Sequence, residues 1–233
     1  MNRLFLVRHG ENVANITKEF SHRLVDYDLT DKGRLQASQT AEYFRDTLNM
    51  PIDAIYSSPL KRAMQTADYI SSVVGVPYEV LENFREINVG DLEKQPPTQE
   101  SWDTYFRVSD AWYDRRMNVP FPGGETYQSL YHRFISGLKQ ATANRSDQNI
   151  IVVAHAGIFT FGIMELFAVE DRKAFDAQPN RNCSVTEILL GDDLSPIELV
   201  RWADGSHLSG EAAKIVASYP SREVGENVKE RIK

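Results

Sequence analysis

Asn149-Ile150-Ile151-Val152-Val153-Ala154-His155-Ala156-Gly157 is the stretch on which the fold turns. Its uncharged apolar run suits a strand buried on both faces, as the central strands of a parallel sheet are. A shorter run of the same kind, Leu4-Phe5-Leu6-Val7, leads into Arg8-His9-Gly10. Between the two, helical and strand patterns alternate. Leu35, Ala37-Ser38, Ala41, Phe44 and Leu48 recur at helical spacing after a Thr30 or Asp31 cap. A short strand is expected over 52–56. Pro59 marks the first turn of a helix that runs past Met64, Ala67 and Ile70 to Val74 and closes at Gly75. Further strands are expected over 78–81, 185–190 and 197–202, the last two as a hairpin across Gly191-Asp192-Asp193, and a long helix over 126–143. Strands alternating with helices predict an α/β fold of three layers, α/β/α, with a mostly parallel central sheet.

Composition narrows the function classes. The 233 residues suit one large domain or two modest ones, and 42% apolar with 25% charged residues is ordinary for a globular chain. Acidic residues outnumber basic ones, 33 to 26, which argues against a nucleic-acid partner. No apolar run reaches the length of a membrane span, and the one that ends at Val7 is too short for a signal-peptide core. The single cysteine, Cys183, reads as a small buried residue and excludes a cysteine metal site. A cytoplasmic location is expected.

The texture changes between residues 91 and 125. Prolines 96, 97, 120 and 122 bracket Trp102, Tyr105, Phe106, Trp112 and Tyr113, which share a helical face. This reads as a helical cap insertion in a domain spanning 1–205, with the aromatic set assigned to packing. Residues 206–233 read as a loose polar tail.

Ligands of open α/β sheets bind beyond the carboxyl ends of the strands. At those ends stand Arg8-His9-Gly10, Ser57-Ser58-Pro59 with Arg62 a turn later, Arg85-Glu86, and His155-Ala156-Gly157. No metal-ligand spacing accompanies the histidines. Guanidinium forks match phosphoryl oxygens, an imidazole can be a nucleophile, and a carboxylic acid can protonate a leaving oxygen, so this inventory fits metal-free phosphate chemistry.

The ordered blocks extend these ends: Arg8-His9-Gly10-Glu11-Asn12-Val13-Ala14-Asn15, Leu29-Thr30-Asp31-Lys32-Gly33, Ser57-Ser58-Pro59-Leu60-Lys61-Arg62-Ala63, Phe84-Arg85-Glu86-Ile87-Asn88-Val89-Gly90, Gly123-Gly124-Glu125-Thr126 and Val153-Ala154-His155-Ala156-Gly157. In these the chain resembles the histidine phosphatase superfamily, the phosphoglycerate mutase-like proteins, over about residues 3–190. The resemblance implies a phosphohistidine on His9, with Arg8, Arg62 and His155 on the non-bridging oxygens and the Ala156 N–H as a further donor. It implies Glu86 as general acid and then general base, and Asn15 and Ser21 at the phosphate or the first substrate atoms. The wording of residues 18–25 departs from the family's usual one. No cofactor is implied, and the expected partner is a small phosphorylated substrate; a homodimer stays open.

Each residue has a structural alternative. His155 alone could be a satisfied near-core histidine, Arg62 could share a solvated face with Lys61, and Glu86 could pair with Arg85. Glu125 reads as a cap for the helix that follows, with ordering of the site as its other reading. The leading expectation is hydrolysis of a small phosphomonoester. The alternatives are a phosphoglycerate mutase-type transfer and a catalytically silent phosphate-binding module. Residues 91–125 carry four cations against seven carboxylates, a net −3 that suits a phosphatase better than a mutase; the pair Arg115-Arg116 is the feature that could clamp an acidic substrate.

Overall fold

A computed structural model describes residues 1–48, 50–178 and 180–216. Among them six strands form one sheet: β1 (Asn2–Arg8), β2 (Ala54–Ser57), β3 (Tyr78–Val80), β4 (Asn149–Ala154), β5 (Val185–Leu190) and β6 (Pro196–Asp204), in the order β3-β2-β4-β1-β5-β6. The first four run parallel; β5 is antiparallel to β1, and β6 to β5. The helices are α1 (Val13–Thr17), α2 (Asp31–Glu42), α3 (Lys61–Val74), α4 (Gln99–Tyr113), α5 (Tyr127–Thr142), α6 (Ala156–Leu166) and α7 (Arg172–Asp176).

The uninterrupted apolar runs of β1 and β4 follow from cover on both faces. Leu4 and Leu6 of β1, with Ile150, Val152 and Ala154 of β4, share a core with α4, α5 and α6. The intervening Phe5, Val7, Ile151 and Val153 pack with Ala41, Phe44, Ala63, Ala67 and Ile70 on the α2–α3 side. Successive side chains on a strand point to opposite faces, so a strand in the middle layer must be apolar at every position. The sheet and its two helical layers are those the alternating pattern predicts.

Several boundaries differ from expectation. Thr30 does cap α2, accepting from the Gly33 N–H at 3.0 Å, but the helix passes into a π-helical turn, Tyr43–Thr47, rather than running evenly to Leu48. Pro59 lies ahead of Leu60, the residue flanking α3, so it is outside the first turn. Leu60 has no side-chain cap of its own; Asp26 accepts the Lys61 N–H at 3.0 Å instead. Glu125 does not cap α5: Thr126 does, in a reciprocal pair with Ser129. Packing also continues past residue 205, where Leu208 and Ala212 are buried with Leu29, Ala37 and Cys183, and the Ala212 carbonyl accepts from Gln36 Nε2 at 3.0 Å. Those residues are docked on α2. The remainder of the expected tail, 217–233, lies outside the described residues. None of the described helices is long and apolar enough to cross a membrane.

Candidate active site

β1 and β4 are neighbours and parallel, so their carboxyl ends deliver His9 and His155 side by side, with ring centres 5.1 Å apart. The backbone beyond β1 is fixed on three sides. The His9 N–H donates to the Ala154 carbonyl at 2.9 Å, the Gly10 N–H to Thr66 Oγ1 of α3 at 3.0 Å, and the Glu11 N–H to Gln36 Oε1 of α2 at 2.9 Å. Gly10 and Gly33 let the loop and the start of α2 touch: a Cβ on Gly10 would lie 2.5 Å from the Gly33 carbonyl oxygen. Two separate glycine-bearing blocks of the sequence thus meet at one backbone contact.

The His9 tautomer is set by its partners. Nδ1 lies 2.7 Å from the Gly10 carbonyl oxygen, which can only accept, so Nδ1 carries the proton. Nε2 then holds the lone pair, and it accepts from Arg62 Nε at 3.1 Å. Burial first, then the Arg62 and Arg8 charges, hold the imidazole well below the usual histidine range. Both effects disfavour imidazolium. The sequence suggests the arginines as the cause; burial is the larger one.

Arg62 is itself buried. Its Nη1 donates to Ser21 Oγ and its Nη2 to the Ser21 carbonyl, both at 2.8 Å, so Ser21 is brought to the site as the anchor of this guanidinium. Burial lowers Arg62 to about 10, which leaves it charged at neutral pH. Lys61, its neighbour, is exposed. Arg8 is buried and donates to the Asn180 carbonyl. Asn15 caps α1 reciprocally with Asn12 and accepts from Asn182 Nδ2 at 3.1 Å.

Glu86 is turned away from Arg85, which pairs with Glu82. Its carboxylate accepts the N–H groups of Gly157 at 3.1 Å and Ile158 at 3.0 Å, in the first turn of α6, and that of Ile87 at 2.9 Å. A helix start offers unpaired N–H groups and positive potential, which is why the carboxylate settles there. Gly157 makes room for it: a Cβ at that position would fall 2.7 Å from Glu86 Oε1.

A cavity of about 100 Å³ brings together Arg8, His9, Asn15, Ser21, Arg62, Glu86 and Ala156. His155 does not line it. It is fully buried, with Nε2 at 2.7 Å from Ser58 Oγ and Nδ1 without a hydrogen-bond partner. Burial and the Arg62 charge hold it well below the usual histidine range. The aromatic set divides. Trp112 is packed in the core between Phe121 and Tyr127, as the packing reading has it, whereas Trp102 and Tyr105 line the cavity with Phe20. Arg115 and Arg116 do not reach it; the first donates to the Val169 carbonyl at 3.3 Å and the second lies 3.7 Å from Asp114. Among the described residues no cluster of three or more His, Cys, Asp or Glu is arranged to hold a metal ion.

Three residues at the site are missed by sequence reasoning. Asn182, in the turn before β5, donates to the His9 carbonyl at 3.0 Å. Arg133 of α5 pairs with Glu125 at 2.8 Å and donates to the Glu86 carbonyl at 3.0 Å, while Glu125 accepts the Asn88 N–H at 2.8 Å. Glu93 is the third. A single oxygen, Oε1, accepts the N–H groups of His22, Arg23, Leu24 and Val25 at 2.7, 2.7, 2.9 and 3.0 Å. It therefore gathers the loop that carries Ser21, and it is no part of an acidic outer surface on the cap. His22 in that loop places Nδ1 2.7 Å from the Glu86 carbonyl oxygen. Nothing in the local sequence distinguishes these residues from solvated ones: the site groups they hold lie 173 positions away for Asn182, 47 for Arg133 and about 70 for Glu93.

Comparison with known proteins gives the family. The family model described as the histidine phosphatase superfamily, branch 1, matches residues 4–204. The chain is 33% identical to phosphoglycerate mutase-like protein 4 of Arabidopsis thaliana over 209 residues, covering 88% of this chain and 86% of that one. It is 30% identical over 220 residues to a metal-independent phosphoserine phosphatase of the same plant, covering 90% and 84%. Among solved structures, the phosphoserine phosphatase of Entamoeba histolytica with 3-phosphoglyceric acid shares the fold, with a TM-score of 0.72, 22% identity, and 90% and 100% of the two chains covered.

Proposed function

The chain belongs to branch 1 of the histidine phosphatase superfamily, and on that premise we propose that it hydrolyses a small phosphomonoester through a phosphohistidine on His9. The observation that carries the reading is the His9 tautomer. A neutral imidazole with Nδ1–H bonded to Gly10 and its Nε2 lone pair beside Arg62 is an activated nucleophile at neutral pH.

In the first step Nε2 forms a bond to phosphorus as the bond to the leaving oxygen breaks. Arg8 and Arg62 neutralise the non-bridging oxygens, and Arg62 exchanges its contact with Nε2 for one with a phosphoryl oxygen. His155 joins them. With Ser58 Oγ donating to its Nε2, His155 offers Nδ1, which has no partner within the protein, as the donor. The Ala156 N–H, at the first turn of α6, adds another, and Asn15 contacts the phosphate or the first substrate atoms. Glu86 gives a proton to the leaving oxygen, then takes one from the water that attacks phosphorus and releases the phosphate from Nε2. The transition state is loose, so positioning and charge neutralisation supply most of the rate.

Residues 91–125 act as the cover of this site, a role supported by Trp102 and Tyr105 in the cavity wall. A cytoplasmic setting belongs to the same proposal, supported by the lone buried Cys183, as does the absence of nucleic-acid and membrane partners. Hydrolysis is favoured over mutase-type transfer because Arg115 and Arg116 lie away from the cavity.

The test is a labelled phosphomonoester quenched in alkali. Acid-labile phosphate is expected on the unaltered protein and none on His9→Ala, with turnover persisting in a chelator. Label on another residue would overturn the assignment. Isomerisation of 3-phosphoglycerate, primed with 2,3-bisphosphoglycerate, that outran phosphate release by orders of magnitude would overturn hydrolysis.

A further inference from the structure

The cavity lining holds two guanidinium groups, Arg8 and Arg62, and both stand at His9. A phosphomonoester dianion matches that charge and uses it up. What remains for the leaving group is a wall of rings with one carboxylate. Phe20 lies 4.5 Å from Trp102 and 5.6 Å from Tyr105 between ring centres, Trp102 and Tyr105 meet edge-on at 5.3 Å, and Phe121 stacks behind Tyr105 at 5.5 Å. Val89 and Ile87 extend the apolar surface. The carboxylate, Glu19, is already engaged: Oε2 accepts from Thr17 Oγ1 at 2.6 Å and Oε1 from the Tyr27 hydroxyl at 3.4 Å.

On the phosphatase reading above, we infer that the substrate is a phosphomonoester of an uncharged, apolar alcohol bearing a ring, seated against Phe20, Trp102 and Tyr105. A leaving group with its own carboxylate would place a third negative charge against Glu19 and the rings, with no third cation among the described residues of the lining to meet it, and a charge removed from water without a partner is disfavoured. A ring in the same place exchanges water for apolar surface and finds edge and face contacts already arranged. The competing case is a cationic leaving group, because the Thr17 and Tyr27 hydroxyls leave Glu19 its charge, and phosphocholine measures that case directly.

The experiment measures kcat/KM for 2-phenylethyl phosphate, ethyl phosphate, phosphocholine and 3-phosphoglycerate. The first two release alcohols of similar acidity, so their ratio reports the wall. Phenylethyl phosphate is expected to exceed ethyl phosphate by roughly 100-fold and 3-phosphoglycerate by at least as much. The phenylethyl-to-ethyl ratio should fall about tenfold in Trp102→Ala and in Phe20→Ala. Binding of phenylethylphosphonate and ethylphosphonate to the unaltered protein gives the same comparison without any variant. Equal rates for the two alkyl esters, or a preference for phosphocholine or 3-phosphoglycerate, would overturn the inference while leaving the phosphatase in place. Failure to release phosphate from any of the four would instead remove the phosphatase reading.

Discussion

At the floor of the cavity, His9 and Ala156 stand just beyond two neighbouring parallel strands, and Arg62 in the first turn of a helix that begins shortly after a third. The wall is made differently. Phe20 comes from the irregular segment after α1, and Trp102 and Tyr105 from a helix inserted between β3 and β4. Floor residues are oriented by hydrogen bonds, His9 from backbone at the strand ends and Arg62 from Ser21; wall residues are oriented by one another's rings. Strand ends hold geometry tightly enough for bond-making, whereas a ring wall can be rebuilt without disturbing them. Floor substitutions should therefore abolish chemistry, and wall substitutions should redistribute it among substrates.

The sharpest break would come at His9. His9→Ala is expected to lower single-turnover kcat by roughly 10⁴-fold or more on every phosphomonoester alike, since no other lining side chain is placed to form the covalent intermediate. Stopped-flow phosphate release from two esters with unlike leaving groups checks it. A loss that depended on the leaving group would mean that floor and wall are not separable.

Glu86 should give the next largest effect, and it belongs to the floor by hydrogen bonding but to the leaving group by chemistry. Glu86→Gln is expected to slow alkyl phosphates by about 10²–10⁴-fold and nitrophenyl phosphate far less, because an acidic phenol needs little protonation. Glutamine can still accept the Gly157 and Ile158 N–H groups, so the first turn of α6 keeps its partner. Equal losses in single-turnover rates would take Glu86 out of the acid role.

The same division governs what the sequence reveals. His9, Arg62, Glu86 and His155 are legible because strand ends are legible: an apolar run stops, and the polar residues after it face one sheet edge. The resemblance to a known family then selects Arg62 over Lys61. The split of the aromatic set is not legible. Trp102 and Trp112 carry the same residue type on one helix, yet one meets the cavity and the other the core, and only the placement of α4 on the sheet decides between them. Glu93 and Glu125 read as surface charge or as a cap for the same reason. The loop 22–25 that Glu93 gathers and the Asn88 N–H that Glu125 accepts are distant in sequence, and Arg133, though eight residues from Glu125, reads there as a solvated helical charge. The docking of residues 206–216 is hidden too, since Leu208 and Ala212 stand among polar neighbours.

Glu93 offers an intermediate case, a residue of the inserted segment that acts on the floor. It holds the loop through four N–H groups, and the loop's Ser21 holds both ends of the Arg62 guanidinium. Glu93→Ala is expected to reduce kcat by roughly 10²-fold, the scale of an ångström-level misplacement, with KM for the ester changing little. Glu93→Gln, which keeps an accepting oxygen, should recover most of it. If both variants lowered only the melting temperature and left kcat per folded molecule intact, the segment would serve the wall alone.

The smallest expected effect tests whether the residues after β6 are as firmly built in as the floor. His207 lies half-sandwiched on α2, with Nε2 3.0 Å from Thr40 Oγ1 and its ring 4.9 Å from that of Tyr43, and burial lowers it to about 4. An unfolded histidine titrates near 6.5. Between those values the unfolded chain binds a proton that the folded chain refuses, so stability is greatest above pH 6.5 and falls as the pH is lowered through the window toward 4. One such site contributes a slope of up to about 1.4 kcal/mol per pH unit, or roughly 3 °C in melting temperature for a chain of this size. His9, His155 and His22, all lowered by burial, add to the slope in the same direction. His207→Gln should therefore flatten the fall between pH 6.5 and 4.5 by about one proton's worth, while phosphatase kcat at pH 7 stays as it was. Melting curves across that range read the slope directly. An unchanged slope would mean that His207 titrates as freely in the folded chain as in the unfolded one, and that the segment after β6 rests on α2 too loosely to exclude water.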